Sequence, residues 1–315
     1  RIRALLILAA ATAATAGCGN SEPAIPMSQA GNVTTDVASV GQGAAMRLCD
    51  EGDVLPIDPA TLAPGADGQP AAQDFWPGTL LDCFVPTDIY ATVIAYRTGA
   101  GAPPQTAADF FDLERFPGRR GLGRTPQFTL ELALLADGVP PTEVYQVLGT
   151  PEGVDRAFKK LDSIKKDVIW WEAGAQPPQL LADGEVSMAY AFNGRIFNAA
   201  QGEGKPFKIV WDGQIYEMEG WVIPKGAPNL EAAKQFVAFS TSPEPQAHAA
   251  EFISYGPPRK SAAALVGNIN GTDVPMGPNL PTNADNMKAA LGSNLDFWVD
   301  HDAELNERFN AWLAG

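Results

Sequence analysis

The stretch WWEAGAQPPQLLADGEVSMAYAFNGR, Trp170 to Arg195, sets two indoles beside a carboxylate and closes an apolar run on Phe192-Asn193-Gly194. Aromatic faces attract cations through the ring quadrupole, by roughly 0.5–2 kcal/mol per good contact. Carboxylates form charge-assisted hydrogen bonds about twice as strong as neutral ones. These residue types suit holding an organic cation better than breaking a bond. The two histidines, His248 and His301, lie in alanine-rich or acid-rich helical settings, with no nucleophile or ligand motif around them. No cysteine or histidine spacing matches a metal site, so neither enzymatic activity, a cofactor nor a metal is expected. Gly41-Gln42-Gly43 is half of a dinucleotide fingerprint, but Met46 stands where its third glycine belongs. A tight strand-to-helix turn is the simpler reading.

The elements that must position these groups follow from local pattern. DVIWW reads as a strand and Ala173 to Gln176 as a turn. Pro177 and Pro178 suit the first turn of a helix, where a missing N–H costs little. EVSMAYAF is the next strand, Asn193-Gly194 a turn, and FKIVWD a further strand. DIYATVIAYRT, residues 88–98, is β-branched and aromatic and reads as a buried strand. QIYEMEGWVIP gives another long strand pattern. Helices are expected after Thr106, Thr125-Pro126 and Thr150-Pro151, each with a capping or N1 residue. Strands alternating with helices predict an α/β fold with a parallel sheet, whose ligands bind beyond the carboxyl ends of the strands. Trp171, Glu172, Phe192 and Asn193 fall at such ends. Glu131 reads as a helix surface charge, Glu217 as a solvated strand residue, and Leu305, Phe309, Trp312 and Leu313 as a core stripe.

Composition bounds the rest. The 315 residues carry 37 acids against 22 bases, a formal charge of −15 that repels nucleic-acid phosphates. With 45 % hydrophobic and 19 % charged residues, the chain can bury a real core. Arg1 and Arg3, followed by a short apolar run, predict a signal peptide over residues 1–17. Cys18 after Thr15-Ala16-Gly17 suggests lipidation, with a tether over 18–30. Contact with the membrane would then be through the lipid anchor only, and the location periplasmic. In such an oxidising compartment Cys49 and Cys83 are expected to form a disulfide, two buried thiols being the alternative.

Several stretches taken together, ADFFDLERFPGRRGL, LELALLADGV, EGVDRAFKKLD, the opening stretch, IVWDGQIYEMEGWVIPKG and ISYGPP, resemble the polyamine (spermidine/putrescine) substrate-binding proteins of bacterial ABC transporters. The likeness runs from about Asn32 to Gly315. It implies a two-lobed periplasmic binding protein, type II-like, with two strand crossovers as the hinge near Val93–Arg97 and Gln214–Val222. Residues 31–95 with 222–315 would form the first lobe and 96–221 the second. A polyamine would sit in the cleft for delivery to the ABC permease subunits. The chain departs from that pattern at Thr125 and Phe128, where spermidine-type members carry acids, and at Gly41-Gln42-Gly43. A first strand–helix unit of the family is expected before Asn32 and is not legible there.

By the same resemblance Glu219 takes an amine-binding position, and Phe192 and Tyr255 form aromatic walls. Trp171 and Glu172 fall near the corresponding turn. The nominated site is Glu219 and Glu172 as charged anchors, with Trp171, Phe192, Tyr216 and Tyr255 as walls. A binding protein for a different amine-bearing or cationic solute, or a truncated lipoprotein that binds nothing, are the competing readings.

Overall fold

The structure is a computed structural model and describes residues 33–99 and 101–315. The expected signal peptide, tether and lipidated Cys18 lie outside the described residues. Seven strands form one mixed sheet: β1 Ala38–Gly41, β2 Val85–Arg97, β3 Arg120–Gly123, β4 Val168–Trp171, β5 Met188–Phe192, β6 Phe207–Val222 and β7 Leu291–Gly292. The order is β1-β6-β2-β5-β3-β4, with β7 added beside β6. The sequence reading of a parallel sheet holds for β5-β3-β4, which run parallel. It fails at the centre, where β2 pairs antiparallel with both β5 and β6. β2 and β6 are the two long strands, and they pair with each other antiparallel along most of their length.

FKIVWD and QIYEMEGWV, read as two strands, form one 16-residue strand, β6. Its first part pairs with the end of β2, Arg97 opposite Phe207 and Ile94 opposite Val210. After an irregularity it pairs with the start of β2, Thr92 opposite Ile215 and Asp88 opposite Glu219. The two long strands therefore pass side by side through two regions of the molecule. β2 is apolar on both faces at its middle, with Ile89, Ala91, Val93, Ile94 and Ala95 fully buried. That is the pattern of a central strand.

Around this spine the apolar side chains fall into separate clusters. One gathers Phe110, Leu122, Leu130, Leu134, Phe158, Leu161 and Val168 with Phe297, Trp298, Leu305 and Phe309. The last helix, Leu295–Ala314, thus packs on residues 107–168, although it lies at the other end of the chain. A second cluster joins Ile57, Phe75, Val85, Ile223 and Val237. Two of the three expected helix starts are in place: Thr106 forms a capping box with Asp109, and Thr150 Oγ1 accepts from Gly153 N at 3.1 Å. The helix expected from Thr125-Pro126 begins instead at Thr129, with Phe128 at the N-cap and no side-chain cap. Cys49 and Cys83 form the disulfide, tying the helix Gln42–Asp50 to the segment before β2.

Arg120, at the start of β3, is fully buried. It donates to the carbonyls of Phe110, Gly118 and Phe116 at 2.6, 2.6 and 2.7 Å and to Ser187 Oγ at 2.8 Å. Burial lowers its pKa to about 10, against the attraction of Asp167 and Asp112. The group stays a cation and pins the approach to β3.

Candidate functional site

Strand parity assembles the site. Partners across a ladder share a face, and every second residue returns to it. Asp88 lies opposite Glu219 and Tyr90 opposite Glu217 in the β2–β6 ladder, while Thr92 lies opposite Phe192 in the β2–β5 ladder. One face of the spine therefore carries three carboxylates beside Tyr90 and Phe192. The aromatic rings form a continuous row. Tyr255 and Tyr90 have centroids 6.0 Å apart, Tyr90 and Phe192 5.8 Å, and Phe192 and Trp171 6.0 Å. Trp170, one residue before Trp171 and pointing the other way, packs instead on Phe309 and Trp312.

Two glycines let the row close up. A Cβ on Gly123 would lie 3.3 Å from Trp171 Cζ2, so β3 leaves room for the indole. A Cβ on Gly194 would lie 2.5 Å from the Tyr255 ring, so only glycine fits where Tyr255 docks. Asn193, read from sequence as part of a turn, begins the helix Asn193–Phe197. Its buried amide bridges two distant segments: Oδ1 accepts from Ala91 N at 2.9 Å, and Nδ2 donates to the Ser254 carbonyl and to Ser254 Oγ at 3.2 Å. This fixes Tyr255 beside Phe192.

The carboxylates differ in their surroundings. Glu217 is held from two sides, Tyr90 OH donating to Oε2 at 2.7 Å and Gln127 Nε2 to Oε1 at 2.7 Å. Burial raises its pKa, and the hydrogen bonds from Ser293, Tyr90 and Gln127 oppose that rise. Gln127 reaches it from just before the helix Thr129–Ala136, whose start is reached through Phe128 at φ 68°. For a residue with a side chain this left-handed backbone costs of the order of 1–3 kcal/mol and tends to mark functional sites. Asp88 Oδ2 accepts from Thr87 Oγ1 at 2.8 Å, whereas Oδ1 is buried with no hydrogen-bond partner. Burial pushes its pKa up to about 7, the Thr87 bond opposing and Glu219 adding to the rise. Burial also raises Glu219, against a hydrogen bond from Ser39. A cation brought to this face would relieve all three.

Below the site lies a carboxyl that sequence reasoning misplaced. Glu131 is fully buried, not a surface charge. Trp298 Nε1 and Tyr145 OH donate to its Oε1 at 2.8 and 3.2 Å, and Oε2 has no partner. Its pKa is pushed up to about 8, mainly by burial. It lies on the apolar helix Thr129–Ala136, which is buried nearly all round.

Of the nominated residues, Trp171, Phe192 and Tyr255 stand in one row and Glu219 on the adjoining acidic face. Glu172 stands at the exposed end of β4, its Oε1 2.7 Å from Arg124 Nη1. Tyr216 takes the opposite parity from Glu217 and Glu219, and its hydroxyl packs against Gly292 of β7. It is therefore not a wall of this face. Asp88, Tyr90, Glu217 and Gln127 were not nominated. Among the described residues no cluster of three His, Cys, Asp or Glu could hold a metal ion. No described helix is long and apolar enough to cross a membrane.

This arrangement can be set beside known proteins. The family model described as bacterial extracellular solute-binding protein matches residues 24–282. The gamma-aminobutyric acid-binding protein of Pseudomonas aeruginosa is 46 % identical over 289 residues, 91 % of this chain and 78 % of that protein. Among solved structures, an A. tumefaciens B6 binding protein in complex with glucopine is 30 % identical, with a TM-score of 0.77 over 91 % of this chain and 86 % of that one. A GABA receptor is 31 % identical, with a TM-score of 0.75 over 91 % and 84 %. A spermidine/putrescine-binding protein of Streptococcus pneumoniae is 17 % identical over 91 % of this chain and 87 % of that one; at a TM-score of 0.70 it shares the fold alone.

Proposed function

Because the chain belongs to the bacterial extracellular solute-binding proteins, the substrate-binding components of ABC transporters, we propose that it captures a small amine-bearing solute of the γ-aminobutyrate (GABA) class. The ammonium group is held on the face formed by Asp88, Glu217 and Glu219. The alkyl chain is covered by the row Tyr255–Tyr90–Phe192–Trp171. The observation that carries this reading is the unpartnered, buried Oδ1 of Asp88, opposite Glu219 and beside that row. Two facing acids with burial-raised pKa values lack the one thing an ammonium supplies, a donor with positive charge. A carboxylate offers about four acceptor positions, so after Tyr90, Gln127 and Ser293 are counted Glu217 can still accept a further donor.

The division into lobes is part of the same proposal. One lobe is built on the start of β2 and the end of β6, the other on the end of β2, the start of β6, β3–β5 and the C-terminal helix. The irregularity between Thr92/Ile215 and Ile94/Val210 is the pivot. Solute bound between the lobes is then passed to the permease subunits.

The polyamine reading rests on the same acids and aromatics, and the names of the more similar relatives favour a solute with one amine. Calorimetry with GABA, putrescine and spermidine separates the two. Binding of GABA at micromolar concentration, with putrescine and spermidine weaker, supports the proposal. Polyamine binding in preference to GABA, or silence toward all three at millimolar concentration, overturns it.

A further inference from the structure

We propose that solute capture is proton-linked through Glu131: this acid, buried below the site, holds its proton in the free protein at neutral pH and loses it to solvent when an ammonium group settles against Glu217. This rests on the amine-binding reading above and adds a second carboxyl that touches no solute. Glu131 is fully buried in the first turn of the helix Thr129–Ala136. Its Oε1 accepts from Trp298 Nε1 and Tyr145 OH, while Oε2 is buried with no partner. A buried carboxylate with one bare oxygen is costly unless a cation pairs with it, and the neutral acid avoids that cost.

A chain of hydrogen bonds links the two acids. Glu217 on β6 is bonded by Gln127 and Ser293, and Ser293 is also bonded to Tyr145, whose hydroxyl reaches Glu131 at 3.2 Å. Ser293 directly follows β7, and its N–H donates to the Tyr216 carbonyl at 3.0 Å, which fixes it beside β6. Its hydroxyl has one hydrogen, which can serve Glu217 or Tyr145 but not both. The groups between the acids therefore cannot fully satisfy two anions at once. Carboxyls so placed titrate as a pair, the charge of each opposing the ionisation of the other.

The other groups around Glu131 do not supply the missing cation. Tyr190 of β5 is kept neutral by burial, and its hydroxyl donates to the Gly213 carbonyl at 2.8 Å. On the neighbouring helices, Asp109 pairs with Arg115, while Arg156 and Lys160 pair with Asp137. Burial pushes the Glu131 pKa up to about 8, hydrogen bonds from its own backbone, Trp298 and Tyr145 oppose the rise, and the Glu217 charge adds to it. An ammonium on Glu217 cancels that last contribution. Glu131 then ionises more readily, so a proton leaves as solute binds, and by linkage affinity rises with pH.

The test is GABA titration calorimetry at pH 8 in phosphate and in Tris, whose heats of ionisation differ, so that the difference in heat reads proton release. The wild type is expected to release about a third of a proton per solute, and to gain about two- to threefold in affinity from pH 7.5 to pH 9, above the titration of Asp88. Glu131→Gln, which keeps the shape of the neutral acid, is expected to release less than about a tenth of a proton and to bind equally well across that interval. Tyr145→Phe withdraws a donor from the Glu131 anion, so its release is expected to peak at higher pH than in the wild type; this variant carries the test if Glu131→Gln does not fold. Equal release by wild type and Glu131→Gln, no release by the wild type, or a Tyr145→Phe profile that superimposes on the wild type overturns the inference and leaves the amine site standing. A wild-type protein that ignores GABA overturns the solute class, and the inference with it.

Discussion

Tyr90 gives its hydroxyl hydrogen to Glu217 Oε2 at 2.7 Å, across 127 residues of sequence. The same ring stands between Phe192 and Tyr255. One side chain therefore aims a carboxylate and completes an aromatic wall. Tyr90→Phe keeps the wall and removes the bond. Glu217 is left with Gln127 and Ser293 as its side-chain donors, in a setting that already disfavours its charge. We expect solute affinity to fall about three- to tenfold, with a stability loss of about 1 kcal/mol. Calorimetry and chemical denaturation check both. Wild-type affinity in this variant would mean that Glu217 takes no part.

Asp88 supplies a pH dependence whose sign can be worked out. Its folded pKa, about 7, lies above its ordinary value of 3.8. Between those values the folded state binds more protons than the unfolded one, so stability from this group is full below pH 4 and lost as pH rises through 7. Asp88→Asn removes that loss. The melting temperature of Asp88→Asn relative to wild type should rise between pH 5 and pH 8 in the absence of solute. Amine affinity of the wild type should strengthen over the same interval, as the anionic form is populated. Parallel melting curves at every pH would contradict the assignment. Glu131, with a pKa of about 8, adds the same sign in both proteins and cancels in the comparison.

The disulfide carries a prediction for stability alone. Cys49 and Cys83 are separated by 34 positions, and closing such a loop stabilises by roughly 3–4 kcal/mol on the chain-entropy view. The Cys49→Ser/Cys83→Ser protein should lose about that much in denaturant unfolding while retaining solute affinity. The bond lies on the helix Gln42–Asp50, off the acidic face, so a matching loss of affinity would show that this helix belongs to the site.

What was legible in the sequence and what was not divides along physical lines. Trp171 and Phe192 could be placed at strand ends, because apolar runs broken by Ala-Gly and Asn-Gly are local signals. The capped helices after Thr106 and Thr150 are local too. Asp88 and Tyr90 were out of reach. Their importance comes from standing opposite Glu219 and Glu217 in a ladder that joins residues about 130 apart, and no local pattern reports that pairing. Glu217 could not be ranked against Glu219 for the same reason, since both share a face and only their partners distinguish them. Tyr216 could have been excluded, because alternation along a strand turns it away from Glu219. Glu131 was misread because TLELALLA invites a search for a polar face. A helix apolar nearly all round is buried, and its one acid goes in with it. The parallel sheet was the expectation of alternating strands and helices, and the two long strands broke it by pairing with each other.

The central claim is that acids on the β2–β6 ladder hold the solute's ammonium group beside the aromatic row. Its most direct test is GABA titration calorimetry at pH 8 on wild-type protein and on Glu219→Gln, which keeps the shape and removes the charge. The account predicts saturable binding by the wild type and a loss of more than about tenfold in the variant, the cost of a charge-assisted hydrogen bond. Equal affinity in the two proteins would contradict it.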